Sequence, residues 1–158
     1  MSARSVAPTG WQSVGTFTVQ NGIPVPPKPR FPLNVPGLYR LRFANGYVYI
    51  GQARNLEARL GNYVSPTDGT EQEHVIRYFL LDAGSAEIDV IIGPQFGTVT
   101  KPKGLRKRET QEKKTAIATG DQLVKAGRAC SREYLRWKIK YHEDMLAKSR
   151  AKWNAGTQ

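Results

Sequence analysis

Three phenols and one guanidinium stand at fixed offsets between Gly37 and Tyr63: Tyr39, Tyr49, Arg59 and Tyr63. A phenol can hold a proton, give one up, or stack on a flat ring, and a guanidinium presents a planar fork of donors that matches phosphate oxygens. Farther along, Glu109 and Glu112 add carboxylates, the ligand type preferred by hard divalent cations. Such a set suits phosphate chemistry or the grip of a phosphate-bearing chain.

The residues around them say what must position them. Leu38 to Phe43 is an apolar and aromatic run bounded by Pro36-Gly37 and by Asn45-Gly46, and Tyr47 to Ile50 is a second run closed by Gly51. Asn-Gly between two such runs predicts a hairpin with a tight primed turn, in which both residues take positive φ. Tyr39 and Tyr49 then lie on neighbouring antiparallel strands. Asn55 is placed to N-cap a helix from Leu56 to about Tyr63. Leu56, Arg59, Leu60 and Tyr63 fall at i, i+3, i+4 and i+7, so an arginine and a tyrosine share the inward face with two leucines.

The remaining chain reads as support. Residues 1–12 are small and polar, with Trp11 as their anchor, and predict a frayed start; Val14 to Val19 alternates as a short strand. Five prolines between Ile23 and Pro32 predict extended structure, either a docking ligand or a strap laid across the domain. A loop over 65–70 precedes a helix from Glu71 to Asp82, where His74 is read as structural, and Glu87 to Ile92 is a strand apolar enough to be central. Gly93 to Gly104 is a loop. A helix over Lys103 to Thr119 follows, with Leu105, Glu109, Glu112 and Ala116 on one stripe. An acid on an inward stripe is costly unless it is paired or binds a cation. The rest is a basic helical region starting near Ser131, whose Tyr134, Leu135, Trp137, Ile139, Tyr141, Met145 and Leu146 form a broad apolar side. These divisions give an N-terminal extension over 1–32, a core over 33–120 and a basic C-terminal region over 121–158.

Composition narrows the partners. Twenty-four Lys and Arg against thirteen Asp and Glu leave a net charge of +11 in 158 residues, which favours a polyanion, most simply nucleic acid. The single Cys130 excludes an internal disulfide, and no Cys/His cluster has zinc-ligand spacing. Apolar stretches are short, so a soluble, cytoplasmic protein without a membrane partner is expected.

At the hairpin and first helix the chain resembles the GIY-YIG nuclease superfamily. Gly37-Leu38-Tyr39 stands where the family has GIY, Tyr49-Ile50-Gly51 reproduces YIG, Arg59 matches the family arginine, and Tyr63 matches a position filled by histidine or tyrosine. The tyrosine form is similar to the small type II restriction endonucleases of the superfamily. In those, a glutamate follows an arginine and precedes an isoleucine by eight residues, as Arg108-Glu109 precedes Ile117 here. Glu112 is the rival, because other members place the glutamate nearer that isoleucine.

The resemblance implies an α/β (α+β) fold, a small mixed or antiparallel three-stranded sheet flanked by helices, with an N-terminal extension and a C-terminal helix. It also implies a DNA endonuclease using a single Mg²⁺, with Mn²⁺ as a possible substitute, held by Glu109. Tyr39 is then the candidate general base, Tyr49 and Tyr63 orient the water or share the proton, and Arg59 forks onto non-bridging oxygens. Nearby positive charge is expected to ease ionisation of the phenol. Gly51, Gln52, Lys101, Lys103, Arg106, Lys107 and Arg108 are the expected nucleic-acid contacts. Many family members have an asparagine after the metal helix, and this chain has none until Asn154. The competing class is a non-catalytic nucleic-acid-binding module, in which the tyrosines stack on bases.

Overall fold

The alternation in Leu38-Tyr39-Arg40-Leu41-Arg42-Phe43 sends Tyr39, Leu41 and Phe43 to one side of a strand and Leu38, Arg40 and Arg42 to the other. A computed structural model, which describes residues 10–64, 71–124 and 132–156, places that strand inside a six-stranded sheet. In chain order the elements are β1 (Gln12–Gln20), β2 (Ile23–Val25), β3 (Gly37–Phe43), β4 (Tyr47–Ala53), α1 (Leu56–Asn62), α2 (Glu71–Ala83), β5 (Ser85–Ile92), α3 (Leu105–Ala118), β6 (Gln122–Leu123) and α4 (Arg132–Gly156). The fold is mixed α+β.

The strand order is β2-β1-β5-β3-β4-β6, antiparallel throughout except for the parallel β4–β6 pair. Three strands were expected and six form. The run containing Phe17 pairs with β5 and buries that ring completely, which covers an edge that β5 would otherwise expose. Ile23–Val25 folds back on β1 as an edge strand, the one sheet position where Pro24, lacking a donor, costs little. β6 contributes two residues beside Tyr47 and Val48, extended by Val124 N–H donating to Val48 O at 2.8 Å. A two-residue strand carries no periodicity, so tertiary contact alone reveals it.

The hairpin forms with a different turn from the expected one. Gly46 N–H donates to Phe43 O at 3.0 Å, and Gly46 has φ +91°, while Asn45 keeps a negative φ. Asn45 instead uses its side chain, accepting from Tyr47 N–H at 3.3 Å. Only the glycine needs the left-handed conformation here.

The two sheet faces have different covers. Tyr39, Leu41, Phe43, Ile88 and Val90 face α1 and α2, where Phe43 and Tyr47 meet Phe79 with ring centroids 5.5 and 5.1 Å apart. On the other face Leu38, Val48, Ile50 and Ile91 pack with Trp11, Phe96, Leu105 and Ala116, which seats α3. Beyond that patch the same face turns ionic. The buried carboxylate of Asp89 accepts from Arg40 and Arg42, and Arg40 also lies over the Trp11 ring at 4.6 Å.

Contacts divide the chain into a unit over Met1–Val124 and a second over Lys125–Gln158. In the second, Leu135, Ile139 and Leu146 of α4 are exposed along the broad apolar side that the sequence marks. A periodic stripe marks which residues share a face, and only a packed neighbour buries it. Of the frayed start expected over 1–12, residues 1–9 lie outside the described residues, while Trp11 is buried and Gln12 opens β1; the loop over 65–70, Cys130, Ser131, and the side chains of Arg132, Tyr134, Arg136, Trp137 and Tyr141 also lie outside them. Among the described residues no helix is long and apolar enough to cross a membrane.

Candidate active site

Tyr39 stands directly opposite Gly51 in the β3–β4 ladder, and the missing side chain at Gly51 makes room for the Tyr39 ring. A Cβ there would come within 2.7 Å of the Tyr39 phenol and 2.9 Å of the Tyr49 ring. Gly51, expected to meet nucleic acid, is therefore buried packing under the tyrosines. The third ring arrives on α1. Asn55 caps that helix, its side chain accepting from Ala58 N–H at 3.1 Å, and Leu56 and Leu60 anchor the inward face, so Tyr63 at the C-cap is carried over the sheet. Its hydroxyl bonds that of Tyr39. Ring centroids lie 5.8 Å apart for Tyr39 and Tyr49, and 6.3 Å for Tyr39 and Tyr63.

This packing governs the chemistry of the phenols. Burial pushes Tyr39 well above its ordinary value, and the Tyr63 charge and hydrogen bond push the same way; Arg59 and the hydrogen bond with Tyr49 pull it down by less. Tyr49 is raised by burial, then by Tyr39 and by the Glu109 charge. Tyr63 is also raised, first by burial, but the hydrogen bond from Tyr39 favours its ionised form. Arg59 lowers all three, so its guanidinium is felt by the whole cluster. Arg59 eases ionisation of the phenols as expected of a nearby positive charge, but desolvation outweighs it and the net shift is upward.

A stability prediction follows from these directions. Each folded phenol is raised above its unfolded value of about 10. The stabilisation from the neutral cluster is therefore fully present below about pH 10 and is lost as pH rises above it, since the unfolded chain releases those protons first. Urea midpoints measured from pH 8 to 11.5 should fall more steeply for the wild type than for Tyr63→Phe; parallel curves would remove the cluster as the cause.

Helix α3 supplies the acids. Glu112 is 6% exposed and accepts from Arg108 Nε at 2.9 Å, so its charge is already matched. Glu109 is less enclosed, with its side chain 16% exposed, and pairs with the surface ammonium of Lys113. A lysine on a flexible stem yields its partner readily. Among the described residues no group of three or more His, Cys, Asp and Glu could enclose a metal. A single carboxylate completed by water and phosphate oxygens suits Mg²⁺, which dehydrates reluctantly and needs no protein cage. Glu109 fits that donor set better than Glu112.

An open cavity of about 810 Å³ has Gln52, Arg54, Arg59, Lys103 and Arg106 in its lining, with one carboxylate, Glu73; Arg59 links it to the tyrosine cluster, and neither the three tyrosines nor Glu109 line it. Lys103 reaches it because the preceding loop is folded on itself: Lys103 N–H donates to Phe96 O at 3.0 Å, and Phe96 is buried in the core. Of the expected nucleic-acid contacts, Gln52, Lys103 and Arg106 line the cavity, and Lys101 and Lys107 are exposed outside its lining. Arg108 is engaged by Glu112. Arg54, Asn62 and Glu73 were missed. Arg54 sits two residues past Gln52, and Asn62 is one turn from Arg59 on α1, so their spacing could have flagged them. Nothing in the sequence ties Glu73 to this place.

No family model matches the chain, and no solved structure matches it. The chain is 39% identical over 56 residues to UvrABC system protein C from Trichlorobacter lovleyi. That stretch covers 35% of this chain and 9% of that protein, so the chain is similar to a small part of a much longer relative.

Proposed function

We propose that the protein is a metal-dependent DNA endonuclease acting through the tyrosine cluster, Arg59 and Glu109. The observation that carries this reading is the enclosure of Tyr49 and Tyr63 around Tyr39 within the field of one guanidinium, Arg59, which also lines a cavity together with Arg54, Lys103 and Arg106. The partial likeness to UvrABC system protein C is consistent with a nuclease that has DNA as its partner. A base-stacking module would need open rings, and Tyr39 and Tyr63 have no exposed surface.

In this reading Arg59 forks onto the non-bridging oxygens of the scissile phosphate, where its planar donors stabilise charge that grows toward the transition state. The hydroxyls of Tyr39 and Tyr63 bond each other and are closed to solvent, so DNA binding has to open the pair to the attacking water; the pair, rather than Tyr39 alone, would then take its proton. Tyr49 packs against Tyr39 and holds its ring in place. Glu109 would hold the Mg²⁺, which when bound polarises the phosphate and stabilises the leaving oxygen. Gln52, Lys103 and Arg106 grip the neighbouring backbone.

Single- and double-stranded DNA incubated with the purified protein should be cleaved with Mg²⁺ or Mn²⁺ and left intact with EDTA. Because the base must ionise from a raised value, the rate should climb about tenfold per pH unit from 6 to 9 without a plateau. Binding without cleavage of any substrate with either metal would hand the site to the binding-module reading.

A further inference from the structure

Glu73 is a carboxylate that the nuclease reading leaves without a role, and it is 7% exposed. It projects from α2 toward α1, where Asn62 Nδ2 donates to its Oε1 at 3.2 Å and Arg59 Nη1 stands 4.0 Å away. Arg59 and Asn62 are three residues apart on α1, so one face of that helix presents both to the same carboxylate. All three line the cavity. A buried acid is costly unless it is matched. Fastening α1 to α2 would account for the match, but a fastener gains most from a close bidentate pair with the arginine. Here Asn62 takes the close contact, and Arg59 is held at a distance too long for a hydrogen bond.

We infer that Glu73 is a positioning residue for Arg59: it draws the guanidinium toward the cavity without occupying its donor fork, which stays available for phosphate oxygens. Asn62 supports the arrangement by satisfying the carboxylate oxygen that would otherwise close onto the arginine. This inference rests on the nuclease reading for its catalytic consequence, and on the geometry alone for the placement of Arg59.

The test uses Glu73→Gln, Glu73→Asp, Arg59→Ala and the double variant Arg59→Ala/Glu73→Gln. Glu73→Gln should slow single-turnover cleavage about 10- to 100-fold while DNA affinity is unchanged or higher, and Glu73→Asp should recover part of the rate. The double variant should be no slower than Arg59→Ala, because the positioning effect of Glu73 runs through that side chain and the Glu73 charge on Tyr63 only raises that phenol. Losses that multiply in the double variant, or a normal rate for Glu73→Gln, would overturn the inference. The Arg59 Nε–Hε resonance of the DNA-free protein provides a readout independent of cleavage: its order should drop in Glu73→Gln. If the wild type cleaves nothing, the nuclease reading fails, and this resonance still decides the positioning role. Should Glu73→Gln fail to fold, Glu73→Asp is read in its place, and unchanged Arg59 order with a normal rate there counts against the proposal.

Discussion

Glu109→Gln should lower the single-turnover rate of DNA cleavage by about 10²–10³-fold while DNA affinity stays the same or rises. The substitution keeps the shape of the side chain and removes the charge that would hold the cation. It also removes a negative charge felt by Tyr49, so the protein should remain folded and no less attractive to phosphate. Glu112→Gln is the control, since Glu112 lies one helical turn along but is committed to Arg108. Its loss should appear as stability, about 1–3 kcal/mol for breaking a buried charge-assisted hydrogen bond, with the cleavage rate of the folded fraction retained. Single-turnover kinetics beside thermal melts separate the two. Cleavage lost in Glu112→Gln and kept in Glu109→Gln would move the metal ligand to the other acid.

For Arg59→Ala, we expect the saturated single-turnover rate to fall by about 10²–10³-fold, the range for losing a transition-state donor. Arg59→Lys should recover only part, because an ammonium lacks the planar fork. A second effect has a definite sign. Arg59 favours ionisation of all three phenols, so its removal raises them further and moves the rising limb of the pH–rate profile to higher pH. Rates from pH 6 to 9 on saturating protein test both parts. A loss confined to DNA affinity, with a normal saturated rate and an unmoved profile, would make Arg59 an ordinary phosphate contact.

The fold was legible where local physics decides local structure. The Asn45-Gly46 break between two aromatic runs gives β3 and β4, and Asn55 ahead of the Leu56, Leu60 and Tyr63 spacing gives α1 with its cap. The apolar run from Glu87 gives the central strand, and the spacing of Leu105, Glu112 and Ala116 marks the side of α3 that becomes buried. Beyond that hairpin, strand pairing was not legible. β1, β2 and β6 join the sheet because an edge is available to each, and that depends on where the rest of the chain has folded.

By itself, then, the sequence determined which side chains share a strand or a helix face: Tyr39 and Tyr49 across a hairpin, Arg59 with Tyr63 on α1, and Glu109 with Glu112 on α3. Offsets of two, three and four residues are set by backbone geometry and survive any tertiary arrangement. Only the tertiary structure decided how deeply those groups are enclosed and with whom they pair. It buried the phenols so that desolvation overrides Arg59, and it gave Glu112 to Arg108 while leaving Glu109 to a half-exposed lysine. It also turned Gly51 into the floor beneath Tyr39 and brought Glu73 from another helix to Arg59. Burial and charge pairing arise between segments distant in sequence, and no local pattern encodes the distance between them.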